Sequence, residues 1–561
     1  MYKLYKYITI FLLLIYHAVI FSCASADKSI VNPAPFSKGV NFNGWFAEFP
    51  QTTLEIFNKY TEQDFSDAKN MGVDVIRLPI DFILFTSGTP DYIIDPLLFK
   101  LLDKAVDLAE KDKLYFILDC HFERQPEIDK SIKDFLLPVW SQIAEHFKNR
   151  SEYVIYEIFN EPQGISSNDW GEVQGEVINK IREIDQKHWI VVGGTDYNSI
   201  DALYSLPVYS DNKLLYTFHF YDPYIFTHQG VTGLDNLAGV PFPHKMNRMP
   251  AIPDDLKGTW AEGYLRYNYI IKGTRLDLAK SLKKASDFGK QRNVPVFCGE
   301  FGVLLKSSLH EDRISWHKTV RELFDENNIP WIKWAYYDCF GIFHSQLNGA
   351  FKWLSIGDVD YDLDVELIQA LGLNPPPQGQ REPLKSGFTV FDDDFGRGVR
   401  IFYNEQNTVN MYCTPAAEGQ YAIHLGDLRR TEDRWDSLTL LMSVVDMTDL
   451  VRNGYVLEFK AITGKPYPVS VSFYSLKDKT NWQIGYTFDI NQIPPDGNWH
   501  TVRVPLADFQ VMGGVDINTD KYVESRDGSA SWEKVNILKF YTMQETGSTN
   551  DLYLDSIKIT K

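Results

Sequence analysis

Residues 153–193 read YVIYEIFNEPQGISSNDWGEVQGEVINKIREIDQKHWIVVG, and this stretch decides the fold. Tyr153 to Asn160 is a short run rich in β-branched and aromatic residues. Gly171 to Lys187 repeats its apolar side chains at helical spacing, and Trp189 to Gly193 is again short and β-rich. A strand, a helix and a second strand in this order form the unit of a parallel sheet. The pattern extends in both directions. Strands are expected at Gly39 to Trp45, Val73 to Pro79, Tyr115 to His121, Leu214 to His219, Val296 to Gly299 and Ile329 to Trp334. Helices are expected at Leu98 to Lys111, Ile132 to Lys148, Leu276 to Gln291 and Arg313 to Asn327. Eight β/α repeats across residues 36–373 predict a (β/α)8 TIM barrel.

The longest interruption, Tyr221 to Thr274, follows the sixth strand and is rich in Pro, Gly and aromatic residues. Loops of that length in a compact domain are usually functional, and in a barrel this one falls on the face where active sites are built. Pro375-Pro376-Pro377 opens a Pro-rich linker, residues 374–386, of semi-rigid extended backbone. Residues 387–561 change to short alternating strands separated by Gly, Asn, Asp and Pro turns, which predicts an all-β jelly-roll sandwich. The expected class is α/β with an appended β-sandwich, and no internal repeat is evident.

Composition narrows the partners. Of 561 residues, 56 are basic and 75 acidic, a formal net charge of −19 that repels phosphate backbones and argues against nucleic-acid binding. Aromatic residues make up 14% of the chain, a surplus suited to ligands with flat, weakly polar faces, of which sugar rings are one kind. Lys3 and Lys6 precede an apolar run from Ile8 to Phe21, too short to cross a bilayer as a helix, so residues 1–26 read as a secretory leader. Two exits stand side by side: Ile20-Phe21-Ser22-Cys23 resembles a lipobox that would acylate Cys23, and Ala24-Ser25-Ala26 fits a small-residue cleavage site. The chain is thus expected outside the cytoplasm, as a cell-surface or periplasmic lipoprotein or a secreted protein, with membrane contact only through that anchor. Cys120, Cys298, Cys339 and Cys413 are too few for a disulfide scaffold and are expected to be free and buried. No His/Cys cluster with zinc-ligand spacing appears, which leaves a transition-metal site with little support.

The chemistry lies at the strand ends. Glu161 directly follows the fourth strand and Glu300 the seventh. The second strand carries Arg77, the third ends in Asp119-Cys120-His121, the sixth in His219-Phe220-Tyr221, and the eighth reaches Trp334. All face one end of the barrel, which core packing alone does not require. Two opposed carboxylates in a cleft suit glycoside hydrolysis: one protonates the leaving oxygen and the other meets the positive charge developing at the anomeric carbon.

These residues carry a resemblance. Gly39-Val40-Asn41-Phe42, Val75-Ile76-Arg77-Leu78-Pro79, Leu118-Asp119-Cys120-His121, Tyr156-Glu157-Ile158-Phe159-Asn160-Glu161-Pro162, His219-Phe220-Tyr221, Gly299-Glu300-Phe301-Gly302 and Trp331-Ile332-Lys333-Trp334 resemble, in order, the motifs of glycoside hydrolase family 5, the retaining cellulase family. Cys120 is a departure, a reactive residue where an apolar or small one would be expected. The resemblance implies Glu161 as general acid/base and Glu300 as nucleophile; in those roles Arg77 near Glu300 would lower the pKa of that carboxyl, while burial and the growing negative charge of Glu300 would keep Glu161 protonated. Arg77, His121, Asn160, His219, Tyr221 and Trp334 become the expected substrate-binding set, with Asn160 on the sugar 2-hydroxyl and Trp334 as floor. It implies a retaining endo-acting hydrolase of β-1,4-glucan that takes poly- or oligosaccharides and needs no cofactor. The same machinery on β-mannan, xyloglucan or mixed-linkage glucan is the nearest alternative, and a non-catalytic surface glycan-binding lipoprotein is another.

The sandwich resembles the carbohydrate-binding modules often appended to such enzymes, although its motifs are diffuse. Trp435, Tyr474 and Trp482 are candidate platforms, with a structural spacer as the competing reading. Asp394 and Asp555, in its first and last strands, are candidates for a shared structural Ca2+, against the plainer reading of turn and edge charge.

Overall fold

The eight short strands close into a ring. β1 (Lys38–Asn41), β2 (Val75–Ile80), β3 (Tyr115–Cys120), β4 (Val154–Glu157), β5 (Trp189–Gly193), β6 (Leu214–Phe220), β7 (Val296–Phe301) and β8 (Trp331–Lys333) pair in parallel in chain order, and β8 returns to β1 with Ile332 opposite Gly39. Each overlaps the interval expected for it. The computed structural model describes residues 33–47, 59–122, 127–344, 363–376 and 382–561, apart from 397, 403–407, 432–435, 517, 518, 520 and 527. The leader with Cys23, part of the linker and Trp435 lie outside the described residues.

Alternation along the strands produces two layers inside the barrel. Phe36, Val75, Ile117, Ile155, Val191, Leu215, Phe297 and Ile332 form a buried apolar plug. Side chains two residues apart share a face, so the next inward positions after Val75, Ile117 and Ile155 are Arg77, Asp119 and Glu157. The interior therefore turns from apolar to charged within one step of each strand.

Long helices cover the outside and fix the strand ends. Ser167–Ile184 starts where the Ser166 side chain accepts from the Asp169 amide, and it buries Trp170, Val173, Val177, Ile178 and Ile181 against the sheet. The Trp170 indole N–H donates to Gly193 O at 2.9 Å, tying this helix to the end of β5. The long insertion after β6 folds into short helical turns, including Tyr224–Thr227, Trp260–Gly263 and Tyr269–Lys272.

The C-terminal part consists of two antiparallel sheets, seven strands each, whose facing sides share a core containing Leu425, Phe459, Phe473, Phe540 and Leu554. Its first strands lean on the barrel. Arg400 reaches both carboxylate oxygens of Asp64 in the helix Glu62–Met71, at 2.5 and 2.6 Å, and Lys104 meets Asp394 at 2.6 Å. Cys120 and Cys298 are free and buried, as expected, whereas Cys339 and Cys413 are not buried, because they sit on loop and edge positions. No helix among the described residues is long and apolar enough to cross a membrane.

Candidate active site

Arg77 anchors the site from below. Its Nε and Nη2 donate to the two Glu157 oxygens at 2.7 and 2.9 Å, Nη2 also meets Asn160 Oδ1 and Asp119 Oδ2 at 2.9 Å each, and Nη1 donates to Glu300 Oε1 at 2.8 Å and Asn41 Oδ1 at 3.0 Å. One planar fork thus orders three carboxylates and two amides from four strands and their ends. It has no solvent exposure. This corrects the expectation that Arg77 touches substrate: its N–H groups are directed at protein acceptors, and it acts by positioning them.

Above it lies a cavity of about 660 Å3 lined by, among others, His121, Glu161, His219, Tyr221, Glu300 and Trp334, six of the eight expected site residues. Arg77 and Asn160 are the two that lie beneath it. Glu300 is held at both oxygens, since the Tyr221 hydroxyl donates to Oε2 at 3.0 Å while Arg77 holds Oε1. The residue before it must be glycine, because a Cβ at position 299 would stand 2.5 Å from Thr217 Oγ1 and 3.2 Å from His219 Nε2. Glu161 adopts φ +32°, a left-handed conformation that non-glycine residues rarely take and that concentrates at functional sites.

His219 stands between the two glutamates. Burial lowers its pKa to about 4, so the imidazole is neutral near pH 7. Asn198 Nδ2 faces its Nε2 at 3.5 Å, which leaves the ring proton on Nδ1. From there His219 donates to Glu161 Oε1 at 2.5 Å and faces Glu300 Oε2 at 3.4 Å. The nearest oxygens of the two glutamates lie within 4.8 Å of each other. His121 makes a parallel chain on the other wall: Nδ1 pairs with Asp119 Oδ2 at 2.9 Å, Nε2 faces Asn160 Nδ2 at 3.3 Å, and the ring stacks near Trp334 with centroids 5.7 Å apart.

The charge balance differs from the sequence-based expectation at one residue. Burial raises the Glu300 carboxyl above its ordinary value; the Arg77 charge pulls it down, as expected, but burial outweighs it. Burial likewise lifts Glu157, and it lifts Asp119 to about 7 even against Arg77.

Sequence reasoning missed part of the wall. Asp196, Tyr197 and Asn198 follow β5 in three successive left-handed conformations, and Asp196 and Tyr197 line the cavity. Gly193 makes room for Asn198, whose Oδ1 would lie 2.2 Å from a Cβ there. Tyr224 stacks on His228 at 4.2 Å, and both line the cavity. They belong to the insertion after β6 already expected at this face, but nothing in their spacing marks them individually.

The sandwich departs from expectation in two places. Trp482 is buried, whereas Tyr474 is half-buried on the face turned away from the core, since Phe473 beside it points inward. Asp394 and Asp555 do not fit a shared calcium. The Asp555 carboxylate accepts from the Ala417, Glu418 and Ser556 amides, and Asp394 from Lys104 and the Phe395 amide, so both aspartates face donors.

A closed parallel barrel with two glutamates meeting over a cavity at its C-terminal face has the architecture of a glycoside hydrolase. Residues 36–339 match the cellulase family, glycosyl hydrolase family 5, and the chain belongs to that family. Endoglucanase C of Acetivibrio thermocellus is 29% identical over 326 residues, which cover 54% of this chain and 91% of that one. Endoglucanase H of the same organism is 23% identical over 534 residues, 89% of this chain and 51% of its own length. Among solved structures, the cellulose synthase subunit Z of Clostridioides difficile is 26% identical, with a TM-score of 0.49 over 60% of this chain and 99% of that one.

Proposed function

We propose that the protein is an endo-acting β-1,4-glucanase that retains anomeric configuration by double displacement. The observation that carries this reading is that one carboxylate oxygen of Glu161 lies within 4.8 Å of one of Glu300, an approach on the short side that retention requires. Inversion places a water between the two carboxyl groups and needs about 6.5–9.5 Å, whereas retention needs only about 5–5.5 Å. Glu300, aimed by Arg77 and Tyr221, attacks the anomeric carbon as the leaving oxygen takes the Glu161 proton. Glu161, now ionised, then takes a proton from a water whose oxygen bonds to the anomeric carbon, and the bond from that carbon to Glu300 breaks, freeing the sugar and restoring both carboxyl groups. Asn160 Nδ2 turns from His121 to the sugar 2-hydroxyl, a contact that strengthens in the transition state. Trp334 supports the reacting ring. The relatives named endoglucanases support glucan as the chain attacked.

The test is the configuration of the first product. Proton NMR of cellotetraose hydrolysis should show the β-anomer before mutarotation, and an initial α-anomer would overturn the proposal. Glu161→Ala should lose roughly 10²–10⁴-fold on cellotetraose while an aryl cellobioside with an acidic phenol, which needs no proton to leave, loses far less in its first step. Equal losses on both would remove Glu161 from the acid role.

The sandwich enters the same reading as a carbohydrate-binding domain that raises the local concentration of chain ends and loops near the barrel. Support comes from its outer face, where Tyr474 lies opposite Gln483, whose amide reaches Ser472 Oγ at 2.9 Å and the Tyr541 hydroxyl at 3.2 Å. Export through the leader, with Cys23 as anchor, completes the proposal. One fractionation addresses both: removing residues 387–561 should release the enzyme from insoluble cellulose, and Cys23→Ala should move it from the detergent to the aqueous phase. Unchanged partition in either case sinks the corresponding part.

A further inference from the structure

A second group of metal-binding side chains lies apart from the glutamates. His310 opens the helix His310–Asn327 that follows the Glu300 strand, His344 ends the described chain after β8, and Asp364 caps the short helix Val365–Ala370. One donor atom from each lies within 4.8 Å of the others. His310 Nε2 already stands 3.0 and 2.9 Å from the two Asp364 oxygens. Two ligands of a tetrahedral zinc ion, each about 2.0–2.2 Å from the metal, are separated by roughly 3.4 Å, so seating an ion between them needs shifts of a few tenths of an ångström. The His344 ring is exposed, with its centroid 5.8 Å from that of His310, and one of its nitrogens lies within 4.8 Å of the other two donors.

The surrounding groups suit this use. Metal-bound histidines direct their other ring nitrogen at a carboxylate or carbonyl, and His310 Nδ1 faces Glu366 Oε2 at 3.7 Å. Arg313 Nη2, 3.5 Å from Asp364 Oδ2, holds the carboxylate in place, and the Leu367 amide donates to its other oxygen at 3.1 Å. Two imidazoles and one carboxylate form a borderline donor set that favours Zn2+ over the hard, oxygen-seeking Ca2+ and Mg2+.

We propose that His310, His344 and Asp364 form a structural zinc-class site, completed by water, that pins the chain after β8 to the start of the helix after β7. Phe343 already bridges to Leu363 beside it, so the ion closes a contact that the backbone has begun. Those two connections carry Trp334 and Phe340 on one side and follow Glu300 on the other, so the ion braces one wall of the cleft from outside it. No local spacing announces the site, because the ligands come from three separate turns of chain.

The experiment is calorimetric titration of Zn2+ alone into the full-length, chelator-stripped protein, with the unfolding midpoint recorded in parallel. One equivalent is expected to bind and raise the midpoint. His344→Ala, at an exposed position that leaves folding intact, should weaken binding on the order of 100-fold or more and abolish the midpoint rise, while Glu366→Gln should weaken it about 10–100-fold. Glu161→Gln separates this event from Zn2+ captured by Glu161, His219 and Glu300, and should leave it intact. Absence of binding to wild type, binding unchanged in His344→Ala, or binding lost only in Glu161→Gln each overturns the site.

Discussion

Glu300→Ala is expected to lower kcat on β-glucan by roughly 10⁴-fold or more, the scale of removing a nucleophile that acts as one unit with its partners. The carboxylate is held at both oxygens, by Arg77 at 2.8 Å and Tyr221 at 3.0 Å, so no neighbour moves into its place. The variant also distinguishes lost chemistry from lost folding. Azide entering the vacated space attacks the anomeric carbon from the Glu300 side, and Glu161 protonates the leaving oxygen, which yields an α-glycosyl azide from a β-glycoside. With Glu161→Ala, azide instead opens the glycosyl-enzyme from the opposite side and yields the β-azide. Identical azide products from both variants would refute the division of roles between them.

Arg77→Met should have the largest effect on stability, about 3–5 kcal/mol in urea unfolding, because it strands buried charges that have no water to turn to. Glu157 and Asp119 are fully buried or nearly so, and both lose a direct partner with the guanidinium. The loss should depend on pH, with a definite sign. Burial raises Asp119 from 3.8 in the free residue to about 7 in the fold, so the fold favours its protonated form. That contribution is fully present below about pH 3.8 and is lost as pH rises through 7. Arg77 is the charge that offsets the loss, so the variant should come nearest to wild type around pH 5 and fall furthest behind above pH 7. A destabilisation that stays constant from pH 5 to 8 would show that the carboxylates are not what Arg77 supports. Arg77→Lys should recover only part of the stability, since an ammonium cannot reproduce two forked contacts to Glu157.

The strand ends were legible for a simple reason. In a parallel barrel a residue at the C-terminal end of any strand faces the same mouth, whatever the distances in the chain, so Glu161, His219, Tyr221, Glu300 and Trp334 could be assembled from strand positions alone. Arg77 is legible as a member of the same constellation, but its depth is not, which is why it is expected on the substrate and found beneath it. Whether the second inward residue of β2 reaches solvent depends on strand stagger and on what fills the layer above it. For the same reason the sign at Glu300 was misread: the neighbouring charge is visible in sequence, and the burial that outweighs it is not. Trp482 and Tyr474 show the limit in the sandwich, where a bulge or a one-residue shift of register exchanges the core and outer faces.

Sequence by itself therefore determined the barrel, the pair of glutamates and the change to an antiparallel domain, because periodicity and strand order are local properties repeated many times. Tertiary structure decided what depends on distances between remote residues: the fork of Arg77 over three carboxylates, the neutral His219 between Glu161 and Glu300, and the meeting of His310, His344 and Asp364. Electrostatic energies fall off over a few ångströms and change with burial, and neither quantity is fixed until the chain has closed on itself.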